Sequence, residues 1–198
     1  PYHWFVKTHK LFALVYLAFV YHTVILTKID YWSEPIGLLL IILLVSGSIA
    51  AFISLFQKIG YNKKAEGKIV DLVEYPELNM LETTLLLDNN WKGHKAGQFA
   101  FVTSDKKEGH HPYTIASSWN EDDKKMTFIT KTLGDHTSRL KDYLKTGMKV
   151  EVEGPYGCFD FEDDKKIHIY IGAGIGITPF IARMNHLEKN KEDRKIHL

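Results

Sequence analysis

The stretch Gly109–Ser118 (GHHPYTIASS) sets imidazoles, a proline, a phenol and a hydroxyl side by side. Pro112 has no N–H to donate and biases His111 to extended backbone, so a strand is expected here. Tyr113 then offers a flat face and Thr114 a hydroxyl, a set that suits an aromatic ring system with polar edges. An edge strand with surface His and Tyr is the other reading of these residues by themselves. A second cluster is Gly172–Pro179 (GAGIGITP), which follows the strand-like run Lys166–Ile171 directly. A Gly-rich turn between strand and helix lets backbone amides approach a phosphate, so Gly172, Gly174, Gly176, Thr178 and Pro179 are candidate binding residues. The glycines fall at every second position, which is not the G-x-G-x-x-G dinucleotide fingerprint. The third cluster is Lys131, Gly134 and Thr137. Thr137 is expected to cap a helix running to Leu144, whose first amides could hold a pyrophosphate beside Lys131. A crossover helix with an ordinary cap fits the same residues.

His9 and His22 stand in an apolar run, where an ionisable side chain is costly unless paired, wetted or bound to metal. Thirteen residues of helix separate them by about 20 Å, one near each leaflet of a bilayer. That suits one imidazole for each of two stacked haems, although the two rings would sit about 140° apart in azimuth. Interfacial histidines at the ends of a short span are the alternative.

The elements that must position these groups fall into two solvents. Leu11–Leu26 is uncharged and, extended back to Trp4 through Lys7 and Lys10, is long enough to cross a hydrocarbon core of roughly 30 Å. Ile36–Phe56 carries no charge at all and is the stronger span. The loop 27–35 holds Tyr31 and Trp32 at an expected interface and Pro35 at the start of the next helix. Lys7 and Lys10 precede the first span while Lys58, Lys63 and Lys64 follow the second, which places both ends on the cytoplasmic side. Ile36–Phe56 has no histidine, so partner imidazoles for a haem would come from elsewhere.

Beyond the spans, apolar and polar residues alternate in 65–73, 80–87, 95–102, 125–131 and 149–153, the pattern of short strands in a small antiparallel barrel. Phe180–Lys189 reads as an amphipathic helix and Arg194–Leu198 as the start of another strand. The expected fold is therefore two transmembrane α-helices (1–57), an antiparallel β-barrel (58–160) and the opening of an α/β nucleotide-binding domain (161–198). Cys158 is the one cysteine, which excludes an internal disulfide and a cysteine-only cluster. The formal net charge of +1 gives no reason to expect a nucleic-acid partner. The chain opens on Pro1 and stops inside a strand-like run, and it is read as a fragment at both ends.

Taken in order, these motifs resemble the ferric reductase and NADPH oxidase superfamily, including its bacterial members, whose cytosolic half has the ferredoxin-NADP reductase architecture. The resemblance implies that His111-Pro112-Tyr113-Thr114 lies against the FAD isoalloxazine, with Thr114 hydrogen-bonding flavin N5. It implies the same neighbourhood for Gln98 and Phe99 in Gly97-Gln98-Phe99, with Ala96 where proline is frequent. Lys131, Gly134 and Thr137 match the flavin phosphate segment, and Gly172–Pro179 matches the NADPH or NADH turn. His9 and His22 match the spaced pair that ligates haem b. The resemblance further implies electron passage from NAD(P)H through FAD to haem. From there it would cross the plasma membrane to oxygen, giving superoxide, or to a ferric or cupric chelate. The family's other haem-binding helix and the remainder of its nucleotide domain are missing from the sequence. Hydride transfer to flavin needs no acid–base dyad, and none is nominated. A flavin reductase merely anchored by the helices, and a non-catalytic nucleotide-binding scaffold, are the alternative functions.

Overall fold

The structure, a computed structural model, describes residues 2–56, 60–191 and 194–198, and the side chains of all of these except residues 2–7, 9 and 135. It divides into two compact units, Pro1–Tyr61 and Asn62–Leu198.

In the first unit α1 (Tyr2–Leu26) and α3 (Pro35–Leu55) form an antiparallel pair. The segment between them is not all loop, because Ile29–Ser33 winds into the short helix α2. Pro35 opens α3, where its missing N–H costs no helical hydrogen bond. Glycine allows close approach at two points. A Cβ on Gly37 would collide with the Tyr31 carbonyl, and one on Gly47 with the Tyr16 ring and hydroxyl. Tyr16 uses that notch to donate its hydroxyl hydrogen to the Leu43 carbonyl at 3.2 Å. Pro35–Leu55 is long and apolar enough to cross a membrane, whereas the apolar part of α1, Lys10–Leu26, is shorter. Leu38, Leu43, Ile49 and Phe52 on α3 are exposed, as are Phe12, Phe19 and Ile25 on α1.

The second unit begins with β1 (Lys64–Tyr75) and β2 (Met80–Leu87), followed by β3 (Phe99–Thr103), β4 (His111–Thr114) and β5 (Lys125–Lys131). Helix α4 (Asp135–Tyr143) and β6 (Lys149–Tyr156) complete the motif. The strands pair antiparallel in the order β4-β3-β6-β1-β2-β5. Period-two alternation decides the inner face: Leu81, Thr83, Leu85 and Leu87 of β2 are buried while their neighbours are more open. Ile69, Leu85, Ile115, Met126 and Val152 form the most deeply buried centre.

The sheet is not the closed barrel expected from the strand spacing. Among the described residues its β4 and β5 edges form no ladder, and the chain after β4 joins β5 at the isolated bridge Ile115–Phe128. Beyond it, Ala116 N–H donates to the Thr127 carbonyl at 2.8 Å and Thr127 N–H donates to Ser117 Oγ at 3.0 Å. A four-residue β4 containing Pro112 is too short, and one donor too poor, to zip along the whole of β5. β3 also starts later than expected. Lys95–Gln98 is a turn, in which Gly97 has φ of 94° and Lys95 N–H donates to Gln98 Oε1 at 2.8 Å.

The chain then forms β7 (Ile167–Ile169), a 3-10 turn at Gly174–Ile177, α5 (Thr178–Asn190) and β8 (Lys195–His197). β7 and β8 pair parallel across α5, as in a βαβ unit.

Candidate functional site

β4 is held by β3, with Thr114 opposite Phe99, Tyr113 opposite Ala100 and His111 opposite Val102. Its far end is fastened by Ile115 N–H, which donates to the Gln98 carbonyl at 3.0 Å. The Gln98 side chain is engaged in its own turn, so its contribution to the strand is made through the backbone. Phe99 joins an aromatic cluster with Phe101 and Tyr156, at ring separations of 5.7 and 5.9 Å. Tyr156 ends β6 and is followed directly by Gly157. Gly157 has φ of 103°, and a Cβ there would sit 3.3 Å from the Phe99 ring.

Tyr113 is held at its ring and at its hydroxyl. Its ring packs 5.9 Å from that of Phe128, and its hydroxyl lies 3.1 Å from His136 Nε2. Burial pushes the phenol up to about 12, so it stays protonated. His136 in turn stacks on His111, with ring centroids 3.7 Å apart and planes 9° from parallel. Burial lowers both imidazoles, and for His111 the charge of His136 is the next cause. Nothing in the sequence reading singles out His136, because a His in the first turn of a polar helix carries no signal of its own.

Gly134 is the N-cap of α4, not Thr137. Thr137 stands three positions later, where its Oγ1 accepts from Leu133 N–H at 3.0 Å and Gly134 N–H at 3.1 Å. The same hydroxyl donates to the Gly134 carbonyl at 3.2 Å, so Thr137 shapes the turn. Apart from its chain neighbours, nothing described lies within 4 Å of where a Cβ on Gly134 would sit. The helix start is thus open for a ligand, with the first-turn amides lacking helical acceptors. Lys131 ends β5 just ahead of it. The fold therefore brings His111 and Tyr113 against the start of α4.

The Gly-rich turn stands beside β5. Gly174 is left-handed at φ 55°, and the Cβ positions of Gly174 and Gly176 face open space. Gly172 is different, since a Cβ there would press on Ile177 at 3.1 Å and Phe180 at 3.3 Å. Thr178 is buried and donates to the Ile175 carbonyl at 2.7 Å, which pins the turn, and Pro179 follows it in the first turn of α5. α5 returns to the segment after β4 through Asn185, whose Nδ2 donates to the Ala116 carbonyl at 3.4 Å. The segment 115–118 is braced from the other side by His94, whose Nε2 lies 3.1 Å from the Ser117 carbonyl.

Glu108, His111 and His136 place potential ligand atoms within 4.8 Å of one another. Parallel stacked rings direct their in-plane lone pairs side by side, which does not converge on one ion. Glu108 is moreover held by Arg139 at 2.9 Å. In the first unit His22 is exposed on α1 and α3 has no histidine. The side chain of His9 lies outside the described residues.

A six-stranded antiparallel sheet with a capping helix, followed by a βαβ start, defines a flavin-reductase-like fold. Residues 65–160 match the family described as FAD-binding domain. Relatives place the chain more narrowly. It is 26% identical to respiratory burst oxidase homolog protein B of Solanum tuberosum over 95% of this chain and 24% of that protein. It is 32% identical to ferric reduction oxidase 5 of Arabidopsis thaliana over 50% of this chain and 15% of that protein. The chain thus spans a quarter or less of these curated relatives. Among solved structures, Amycolatopsis cytochrome P450 reductase GcoB superposes with TM-score 0.57 at 22% identity, covering 67% of this chain and 41% of that one. Ferredoxin-NADP+ reductase from Plasmodium falciparum gives 0.54 at 20% identity, covering 68% and 56%. The chain is similar to the ferric reductase and NADPH oxidase superfamily, and its homologues are respiratory burst oxidases and ferric reduction oxidases.

Proposed function

We propose that this chain is part of a membrane oxidoreductase in which NADPH or NADH reduces FAD. Electrons then pass to haem and on to oxygen or a ferric or cupric chelate across the membrane. The observation that carries the reading is the convergence on β5. The His111–Thr114 strand meets it at one edge, and the Gly172–Pro179 turn stands beside it. FAD, when bound, supplies the exchange between a two-electron hydride and single electrons. The protein's share is binding and orientation. Tyr113, Thr114 and Phe99 would hold the ring system, Gly134 and the first amides of α4 its phosphates, and Lys131 would add positive charge. Gly174 and Gly176 leave room for the nucleotide phosphates at the start of α5. The residues present fit FAD on this count: a helix start where nothing described beyond the chain neighbours crowds Gly134, and an adjoining aromatic strand.

α1 and α3 are assigned to the membrane because their outward side chains are apolar, whereas a core helix of a soluble protein buries such residues. Both ends of the pair then face the cytosol by the placement of lysines. The haem reading rests on His9 and His22 and on the resemblance. His22 offers one imidazole and α3 none, so a bis-imidazole site needs a further helix. That shortfall favours a second reading, a flavin-dependent NAD(P)H reductase that the helices only anchor.

Optical spectra of the protein purified in detergent decide between the two. The haem reading expects flavin bands together with a Soret band that shifts on reduction and weakens in His22→Ala. Flavin bands without a Soret band would select the anchored reductase, and absence of both would overturn the proposal.

A further inference from the structure

Residues 157–166 join β6 to β7, and Asp160, Glu162, Asp163 and Asp164 crowd four acids into them. A stretch of that composition should behave as an extended, mobile tether. Its contacts instead fix it at both ends and in the middle.

At the barrel end the Phe159 carbonyl occupies the place where any side chain at Gly97 would begin. Lys95 pairs with Glu162 across the same turn, an exposed pair that adds little by itself. That turn also carries the Gln98 carbonyl to which Ile115 N–H donates, so it is tied to the end of β4. At the other end Asp163 Oδ1 lies 2.9 Å from Nε2 of the buried His168 on β7 and 3.2 Å from Arg194, whose Nη2 donates to the Asp163 carbonyl at 2.8 Å. His168 Nδ1 extends these bonds to the Tyr170 hydroxyl at 3.2 Å.

Phe161 joins the two ends. Its ring centroid lies 5.1 Å from that of Phe159, 5.4 Å from that of Tyr170 and 6.0 Å from that of Phe180. The guanidinium of the buried Arg183 stands 6.0 Å from the same ring. Phe180 stacks on Tyr170 at 4.7 Å with planes 12° apart, and its ring is 3.3 Å from where a Cβ on Gly172 would sit. Packed contacts thus run from the Gln98 turn through Phe159, Phe161 and Phe180 to the first glycine of Gly172–Pro179.

We infer that 157–166 is a spacer of fixed length, and that Phe161 is the positioning residue through which it sets the Gly172–Pro179 turn at a working distance from the His111–Thr114 strand. This rests on the function proposed above, in which a nicotinamide held by the turn reduces a flavin held by the strand. Hydride transfer demands a short, aligned gap, and a misplacement of about 1 Å can cost on the order of a hundredfold in rate. Binding is less demanding, because each site keeps its own residues. A tether tolerates a change of length, since loop closure depends on it only weakly, whereas a spacer does not.

Two measurements on the detergent-purified protein test this. In the first, spin labels on Cys158, exposed two residues past β6, and on Glu188→Cys in α5 report the separation of the barrel end from the βαβ start. A single narrow distance is expected. It should broaden or shift in Phe161→Ala, and also when one glycine, adding up to about 3.5 Å of chain, is inserted between Phe159 and Asp160. In the second, NADPH or NADH bleaches bound FAD anaerobically, and the limiting rate at saturating nucleotide should fall at least about tenfold in both variants. FAD content and the nucleotide dissociation constant should stay within about twofold. Phe161→Tyr keeps the ring and should keep the native rate and distance. Should Phe161→Ala fold poorly, the insertion decides, because it removes no side chain.

A broad distance in the native protein, or an insertion that leaves the distance or the limiting rate unchanged, would overturn the inference and leave the proposed function standing. Loss of FAD and of nucleotide affinity in step with the rate would do the same, since it would mark Phe161 as a residue of stability alone. Native protein that holds FAD and is bleached by neither nucleotide would overturn both.

Discussion

His94 and Ser117 are joined by a hydrogen bond of 3.1 Å that ties the turn before β3 to the segment after β4. The other ring nitrogen, Nδ1, accepts from the Trp91 indole N–H at 3.4 Å. An indole can only donate, so Nδ1 carries no proton and Nε2–H must be the donor to the Ser117 carbonyl. Protonating the ring would set N–H against N–H. Burial agrees with this, lowering His94 to about 4.

Acid should therefore loosen the fold through this one side chain. His94 is depressed in the folded state, so its contribution is present above the unfolded value near 6.5 and is lost as pH falls toward 4. The loss is on the order of 3 kcal/mol across that window. Thermal unfolding followed from pH 7 to 4.5 should show a falling Tm whose slope lessens in His94→Gln. An unchanged slope would mean that His94 is not the group responsible.

Thr137→Val keeps the shape of the residue and removes the acceptor of the Leu133 and Gly134 amides. The start of α4 should lose about 1–2 kcal/mol, the usual cost of a missing cap interaction. Flavin content per protein should drop with it. Absorbance ratios of flavin to protein after purification would show the change, and full flavin occupancy would argue against α4 as the phosphate end of the site.

Gly176→Val separates nucleotide binding from folding. Its Cβ position is open, so the protein should fold and keep its flavin. The new branches would occupy the space proposed for the dinucleotide phosphates, and KM for NADPH or NADH should rise by an order of magnitude or more, as for a blocked phosphate contact of roughly 1.5–3 kcal/mol. Steady-state kinetics with an artificial acceptor would measure it. Gly174→Val is a poorer probe because its left-handed backbone adds strain.

The helix pair gives a separate prediction. Gly47→Leu would drive a side chain into Tyr16, so α1 and α3 could no longer approach as they do. Detergent-solubilised protein should unfold or aggregate at lower temperature, by a margin typical of overpacking, about 1–3 kcal/mol. Tyr16→Phe, which only loses the bond to Leu43, should cost no more than about 1 kcal/mol.

Much of this was legible in the residues because it depends on local pattern. Met80–Leu87 alternates so regularly that the strand falls on those residues, and the unbroken apolar run after Pro35 forms one helix. What depends on distant pairing was not legible. The start of β3 is decided by the Lys95–Gln98 turn and by pairing with β4 and β6, not by its own alternation. The barrel fails to close because β4 is short and contains Pro112, and strand spacing does not report strand length. The chemistry-bearing motifs could be read in order, but the contact of Tyr113 with His136 joins residues 23 positions apart. No local window holds both.

The central claim is that one polypeptide holds FAD where a nicotinamide can reduce it. Anaerobic mixing of the detergent-purified, FAD-loaded protein with NADPH, and separately with NADH, tests it most directly by following the flavin's visible bands. Bleaching by at least one nucleotide, slowed in Gly176→Val, is the predicted result. Flavin bands that stay unchanged with both nucleotides, in a protein shown to retain its FAD, would contradict the account.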